Sequence, residues 1–594
     1  MTILIPFISF FLFWSCFYQK TRHGCRAFLF AAALWGSIVW FLTETLSWAH
    51  GLSFVPLLIG WSMAMLGAGC WAFSCKGPFG HGSFIHQFKA LTFTEKTILF
   101  LIVTIAVLKG ISAIYSAPNT SDAMTYHLNR VEHWIQNGTV ADYPSHVTRQ
   151  LYSPPWAEYA ILQLRVLSGG DHFSNAVQWF SAIGAWVSVA GLSQMLGASR
   201  RGQLLSVLLA ASLPMGLVQA TSTQTDYVMT FWLAGFVYLL WMMYQKPGRG
   251  IAVAAGTYLG LAFLTKGNAY VFAPVWVAVY IMALILARHL HKLKFLALIV
   301  VIAGIINFPY ALRNTFAFGS PYWTHTSLTN DSFSVPALMS NMAYNLALHT
   351  HFQGQSTGED DTGNGLYLIL LAAVLAGLVF YRPLRHKVHL IYGLCVIAMF
   401  VVFSAVVHCD QFNSRFHLAI FVISTALVGT VLVEWLPYRW VWAAAAVLIY
   451  VSSWAWLFKC NEHPLIGDRS IFVTTRPQQY FSTRPMLIYP YVQTVKIVAS
   501  SSCRDIGLIS GESEWGYTWW VFFRQNFGDK FRLEDVDVKN KSAFLPYPRG
   551  SFDPCLLIAS NDERSTVVLP GGVYARAWSM QLPGELTSVF VKVL

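Results

Sequence analysis

Runs of roughly 20 apolar residues, repeated along most of the chain, decide what this sequence can become, because that length spans a bilayer as a helix. About fourteen such segments are readable, near 2–18, 26–48, 54–74, 97–115, 173–197, 203–222, 227–244, 251–265, 269–287, 295–311, 365–381, 388–407, 416–436 and 440–458. The composition agrees: 55% of the 594 residues are hydrophobic and 11% charged, against about 25% charged in soluble chains. The net charge of +12 sits in short loops rather than on one stripe, so it reports topology and not nucleic acid. Lys20/Arg22/Arg26, Lys76/Lys89/Lys96, Arg200/Arg201, Lys246/Arg249, Arg288/Lys292/Lys294 and Arg382/Arg385/Lys387 fall in alternate loops. The positive-inside rule makes those loops cytoplasmic and the others, notably 116–172 and 312–364, external. No basic residue precedes the first run, and Lys20 and Arg22 follow it, which is not the pattern of a cleavable signal. The nine cysteines form no zinc pattern.

The external segment 116–137, SAPNTSDAMTYHLNRVEHWIQN, follows the fourth run. Ser121 or Asp122 reads as a helix N-cap. Met124, Leu128, Val131 and Ile135 share one helical face, while Asp122, Tyr126, Asn129, Arg130 and His133 share the other. This predicts an amphipathic helix in the membrane interface, polar side toward water. A second helix starts after Ser153 and its prolines, in YSPPWAEYAILQLRVLSG. The loop 312–364 holds LHTHFQGQSTGEDDTGNG, whose Gly, Ser and Asp content predicts a mobile segment. Beyond 458 no spanning run occurs. Strand-like pieces at 506–510, 555–560 and 587–594, with the helix-like EWGYTWWVFFRQ, predict a small external α/β domain. Cys503 and Cys555 each adjoin a strand, and an oxidising compartment permits, without requiring, their pairing. Three parts follow: a three-helix appendage at 1–94, a membrane core at 95–458 and the α/β domain at 459–594.

Ionisable side chains near membrane depth are costly and usually functional. Asp122, Asp226, Lys266, Arg313, Asp410 and Arg415 all fall at external helix ends. A carboxylate can act as general base toward a hydroxyl, and Lys and Arg can hold phosphate oxygens as charge develops on a leaving group. An acceptor hydroxyl, a sugar and a lipid phosphate would use every part of that set.

With these residues the chain resembles the GT-C superfamily of polyprenyl-phosphate-sugar-dependent glycosyltransferases, in the branch of the aminoarabinose transferase and protein O-mannosyltransferases. DAMTYHLNRVEHWIQNG, STQTDYVMTFW, GLAFLTKGNAY, LRNTFAFGSPY and NSRFHLAIF carry the resemblance, over about residues 95–458. It implies a polytopic α-helical fold, Asp122 as catalytic base, and Asp226 as a second acid orienting acceptor or sugar. It also implies Lys266, Arg313 and Arg415 as phosphate contacts, and the GEDDTGNG segment as a loop closing over the site. Many relatives carry two adjacent acids where Ala123 follows Asp122 here. A divalent metal such as Mg or Mn is therefore open, with no ligand assigned. Tyr126, His127, Arg130, Asp410, Glu359 and Asp360 are candidate acceptor or accessory residues. His349, His351, Glu359, Asp360 and Asp361 offer oxygen and nitrogen ligands, but a solvated loop is the preferred reading of that stretch.

The implied activity is transfer of a sugar from a polyprenyl-phosphate donor to a hydroxyl of a lipid, glycan or protein, with inversion. It would take place on the external face of the inner (plasma) membrane. The rival reading is a transporter or flippase of lipid-linked sugars, which should place its charges near mid-membrane on broken, repeated helices.

Overall fold

The computed structural model describes residues 2–593 apart from 75–89, 323–328, 331–332, 351–357, 360–361, 382–385, 436–445 and 448. Among the described residues, nine helices are long and apolar enough to cross a membrane, and Arg249–Phe263 and Gly365–Phe380 are shorter apolar helices. The protein is a multi-pass membrane protein. The predicted span at 203–222 is broken instead into Arg200–Ala211 and Pro214–Gln219. Pro214 cannot continue a helix, because it has no N–H to donate and its ring clashes with the preceding turn, but it suits a first helical position. The run at 440–458 lies partly outside the described residues.

Asp226–Gln245 is the central helix. It packs against Ala176–Met195, Arg249–Phe263 and Leu418–Trp435, and nearly all of its side chains are buried. Helix Phe93–Tyr115 starts at a capping box, in which Thr92 N donates to Glu95 Oε2 (2.7 Å) and Glu95 N to Thr92 Oγ1 (3.4 Å). The first three helices are keyed to this core: Trp61 Nε1 donates to Gln163 Oε1 (2.8 Å), and Tyr159 Oη to Glu44 Oε1 (2.7 Å).

The segment after Phe93–Tyr115 turns through a π-helical stretch, Ala123–His127, into helix Leu128–Asn137, which ends at Gly138 (φ +67°). A Cβ at Gly138 would come within 2.5 Å of His50 O, so glycine is required there for both conformation and space. The predicted solvated polar face is corrected by the structure. Asn129, Arg130, Glu132 and His133 are all buried: Arg130 is covered by the second helix of the same segment through Glu158, and the other three by the C-terminal domain. Trp520 Nε1 donates to Asn129 Oδ1 (2.7 Å), Arg524 Nη1 to Glu132 Oε2 (2.7 Å), and Gln136 exchanges hydrogen bonds with the Leu533 backbone (2.9 and 3.2 Å). Helical periodicity shows that a face is polar; it does not say whether water or protein satisfies it.

The C-terminal domain has one six-stranded sheet in the order β2-β1-β3-β6-β5-β4. Its strands are β1 (Asp505–Ile509), β2 (Arg532–Asp535), β3 (Leu556–Ser560), β4 (Thr566–Leu569), β5 (Gly572–Leu582) and β6 (Glu585–Val593). β1 runs parallel to both β2 and β3, and the remaining pairs are antiparallel. Helix Gly516–Phe527 connects β1 to β2, the crossover that a parallel pair needs. Cys503 and Cys555, just ahead of the adjacent strands β1 and β3, form a disulfide.

Helix Val335–Ala347 has an inverted polarity. Asn341 and Asn345 turn inward, where their amides donate to Ser404 O and Ser404 Oγ (both 3.2 Å). Val335, Met339, Tyr344 and Leu346 are exposed.

Candidate active site

Asp122 immediately precedes the π-helical turn, an irregularity frequent at functional sites. Its backbone is already helical and its side chain caps nothing, which corrects the N-cap reading. The carboxylate is bracketed by two guanidinium groups: Arg415 Nη2 lies 2.7 Å from Oδ2 and Arg149 Nη1 3.4 Å from Oδ1. Arg415 comes from the single turn Asn413–Phe416 ahead of helix Leu418–Trp435. Asp122 is 9% and Arg415 8% exposed. Burial alone would raise the Asp122 pKa, but the positive charges of Arg415, His127 and Arg149 outweigh it and hold the carboxyl well below its usual range. Burial and the Asp122 charge push the Tyr126 phenol well above its usual value.

A second acid–base pair sits behind the first. Lys266 Nζ is 2.6 Å from Asp226 Oδ1 and 4.6 Å from the centre of the Phe416 ring, while the Arg415 guanidinium lies 5.2 Å from that ring. Burial draws the Lys266 pKa below its usual value in spite of Asp226. Gln224 Nε2 donates to both oxygens of Glu359 (3.1 and 3.3 Å), and Glu359 N donates to Glu462 Oε1 (2.9 Å).

These groups border a cavity of about 710 Å3 between the membrane helices and the C-terminal domain. Asp122, Glu359, Asp410 and Arg415 line it; Asp226 and Lys266 stand just behind Phe416 in its wall. Asp410 is exposed at the rim. Tyr126 lies under Arg149, whose guanidinium is 5.1 Å from the ring centre. His127 and Arg130 are not in the cavity. Both pair with the buried Glu158, and Arg130 Nη1 also donates to Ser153 O (2.8 Å), fixing helix Trp156–Ser168 against helix Leu128–Asn137. Arg313 lies apart: its guanidinium makes a two-point pair with Glu44 (2.8 and 2.9 Å) and donates to Tyr159 Oη (2.6 Å). Asp360, with His351 and Asp361, falls outside the described residues. His349 Nε2 lies 2.9 Å from His417 Nδ1 in the interior, and Asn364 N donates to its Nδ1 (3.3 Å).

Sequence reasoning missed Arg149, Glu462, Arg484, Glu512 and Trp515, all lining the cavity. Arg149 bridges its two halves, with Nη2 donating to Glu512 O (3.1 Å). The one available signal for it was an arginine within the same external loop as Asp122. Among the described residues, no three His, Cys, Asp or Glu side chains are grouped to hold a metal ion. Both Asp122 oxygens face guanidinium groups, a donor set that does not fit a resident divalent cation.

The chain matches no protein-family model and no curated protein. Among solved structures it is similar to ArnT from Cupriavidus metallidurans bound to undecaprenyl phosphate, with TM-score 0.50 and 16% identity over 84% of this chain and 98% of that one. The apo state of the same protein gives the same figures. The oligosaccharyltransferase AglB from Archaeoglobus fulgidus, in complex with an inhibitory peptide and a dolichol-phosphate, aligns with TM-score 0.45 and 12% identity over 79% and 70% of the two chains. Among the described residues, nine helices long and apolar enough to cross a membrane, a buried acid–base cluster at one end of them and an α/β domain over it thus share the fold of the ArnT structures.

Proposed function

We propose that this chain is an inverting glycosyltransferase that moves a sugar from a polyprenyl-phosphate carrier to an acceptor hydroxyl at the external face of the plasma membrane. One observation carries the reading: a buried carboxylate, Asp122, held between Arg415 and Arg149 at the wall of a cavity of about 710 Å3. The fold shared with ArnT, whose structure contains undecaprenyl phosphate, supports the class of donor. The external loop 116–172, Glu359 and residues of 459–594 then border the site. Residues 95–458 form the catalytic membrane unit, with 1–94 as its buttress.

The resting Asp122 is a weak base, because both of its oxygens are already engaged by cations. An arriving donor phosphate competes for the same guanidinium groups. As Arg415 and Arg149 turn to it, Asp122 loses its counter-charges while remaining desolvated, and its proton affinity rises. The acceptor hydroxyl then gives its proton to Asp122 as its oxygen bonds to the anomeric carbon. The bond from that carbon to the phosphate oxygen breaks, and the electron pair leaves on the carrier phosphate, where the two arginines and Lys266 stabilise it. A single displacement inverts the anomeric centre. Asp226 keeps Lys266 charged and in place. The test is release of labelled sugar from a polyprenyl-phosphate donor by the purified chain in nanodiscs. Asp122→Asn should lower turnover of the folded protein at least about 1,000-fold, as loss of a general base together with its charge implies, with a lower melting temperature because Arg415 loses its counter-charge. Full turnover by that variant would overturn the mechanism.

A further inference from the structure

Lys109 is fully buried on helix Phe93–Tyr115, about two turns before its end. An ammonium inside a membrane helix is expensive and usually functional, yet the transfer chemistry gives this one no task. Its Nζ donates to Trp456 O (2.7 Å), and its charge attracts the carboxylate of Glu462. Glu462 is itself buried and lines the cavity of about 710 Å3. The lysine thus supports a cavity acid from behind.

Three hydrogen bonds fix Glu462. Cys460 Sγ donates to its Oε2 (3.0 Å), Glu359 N donates to its Oε1 (2.9 Å), and its backbone carbonyl accepts from Asn119 Nδ2 (2.6 Å). His463 Nε2 lies 3.1 Å from Ala117 O, so the turn is stitched to the segment that leads into Asp122. Through the Glu359 backbone, Glu462 also sets the Glu359 carboxylate. Both oxygens of that carboxylate accept from Gln224 Nε2 (3.1 and 3.3 Å), and its charge acts on Arg415. Asp122, Arg415, Glu359 and Glu462 line one cavity.

With the acceptor hydroxyl at Asp122 and the carrier phosphate at Arg415, the anomeric carbon lies between them and the sugar ring reaches the neighbouring wall. There it meets two buried carboxylates. An ionised carboxylate only accepts hydrogen bonds. It suits a ring hydroxyl and repels an anionic substituent, most strongly where water is excluded. With Lys109 answering Glu462 and Arg415 answering Glu359, both charges have counter-ions of their own. The wall therefore asks for hydroxyl donors rather than for a cationic sugar.

We propose that Glu359 accepts a hydrogen bond from a ring hydroxyl of the donor sugar, that Glu462, backed by Lys109, is the positioning residue that sets it, and that the pair restricts the donor to uncharged sugars. This selection rests on the sugar-transfer reading, and the two can fail separately.

The full chain in nanodiscs is titrated with undecaprenyl phosphate, undecaprenyl-phosphate glucose and undecaprenyl-phosphate glucuronate, and dissociation constants and melting curves are read for each. The native protein should bind the glucose lipid at least about tenfold more tightly than the glucuronate lipid. Glu359→Gln keeps the shape and removes the charge. It should weaken the glucose lipid about tenfold, the worth of a hydrogen bond to a charged group. It should also bring the glucuronate lipid to within about threefold of the glucose lipid and change undecaprenyl phosphate less than about threefold. Glu462→Ala should reproduce this pattern, and Glu462→Gln, which keeps an acceptor for Glu359 N, should restore most of the glucose affinity. A merely structural role would lower the melting temperature without altering the ratio between the two sugars. Should Glu462→Ala fail to fold, Glu359→Gln decides. Equal affinity of the native protein for both sugar lipids, or an unchanged ratio in a folded Glu359→Gln protein, would overturn the selection and leave sugar transfer standing. Failure of the native protein to bind any of the three lipids would overturn the transfer reading, and the selection with it.

Discussion

Replacing Arg415 by glutamine tests the electrostatics on which the proposed chemistry rests. Two cations face Asp122, but they are not equal. Arg415 is 2.7 Å away with a side chain 9% exposed, whereas Arg149 is 3.4 Å away and 35% exposed. Solvent screening limits the second pair to roughly 0–1 kcal/mol, while breaking a buried pair by removing one partner costs about 3–5 kcal/mol. Arg415 therefore dominates. Without it, burial prevails over the remaining charges and the Asp122 pKa rises from well below its ordinary value of 3.8 to above it. The stability contributed by this depressed carboxyl is present above the unfolded value and disappears as pH falls through the folded one; in the variant, whose folded value lies above the unfolded one, the sign reverses and stability falls as pH rises through that interval. The assay is kcat/KM for sugar transfer between pH 4 and 8 in nanodiscs, with melting curves alongside, since kcat/KM reports the free enzyme. The native protein should show no acid limb from Asp122 in that range. Arg415→Gln should show one, together with a loss of about 100-fold or more at pH 7 from the missing phosphate contact. A folded Arg415→Gln protein with near-native kcat/KM at pH 7 and no acid limb would refute the reasoning.

Arg313→Met should cost about 3–5 kcal/mol by stranding Glu44 in the interior. It should leave kcat in the folded fraction within a few-fold of native, and Glu44→Gln in the same chain should recover part of the melting temperature. Gly516→Ala places a Cβ 2.4 Å from Asn129 Nδ2; the clash should destabilise the seam by about 1–3 kcal/mol and speed proteolytic release of the C-terminal domain. Glu514 is buried, and burial raises its carboxyl to about 8 from 4.5. The native state therefore holds a proton that the unfolded chain releases, and stability falls as pH rises from 4.5 to 8. Glu514→Gln, which cannot ionise, should gain on the native protein across that window by roughly 2–4 kcal/mol, read as diverging melting temperatures. Arg149→Ala should cost less than Arg415→Gln in both activity and stability, by the difference in exposure.

Much of this fold is legible because bilayer thickness imposes a length on each helix. The break at Pro214 escaped the same arithmetic, because the apolar content of 203–222 continues across it. Asp122, Asp226, Lys266 and Arg415 were grouped by depth along the membrane normal, and the structure brings them together around Phe416. The same criterion also gathered Arg313, which depth cannot separate from the others because it fixes no angle around the bundle. There the partner is Glu44, inside an apolar run that gave no hint of a site. Arg149 stands in a Tyr- and Pro-rich crossing without periodicity. Arg484, Glu512 and Trp515 reach the cavity through the docking of a domain hundreds of residues away, and no local pattern encodes that encounter. Its imprint on helix Leu128–Asn137 was visible only as a polar stripe, which water explains equally well.

The placement of the C-terminal sheet domain sets an order on biogenesis. The cavity wall begins at Thr120 and is completed by Trp515, so a ribosome must deliver nearly the entire polypeptide before the pocket exists. Until β1 to β3 have folded and docked, Asn129, Glu132 and Gln136 lack the partners that the domain supplies. A partly assembled chain is thus without its pocket and carries exposed polar groups where the finished protein has buried ones.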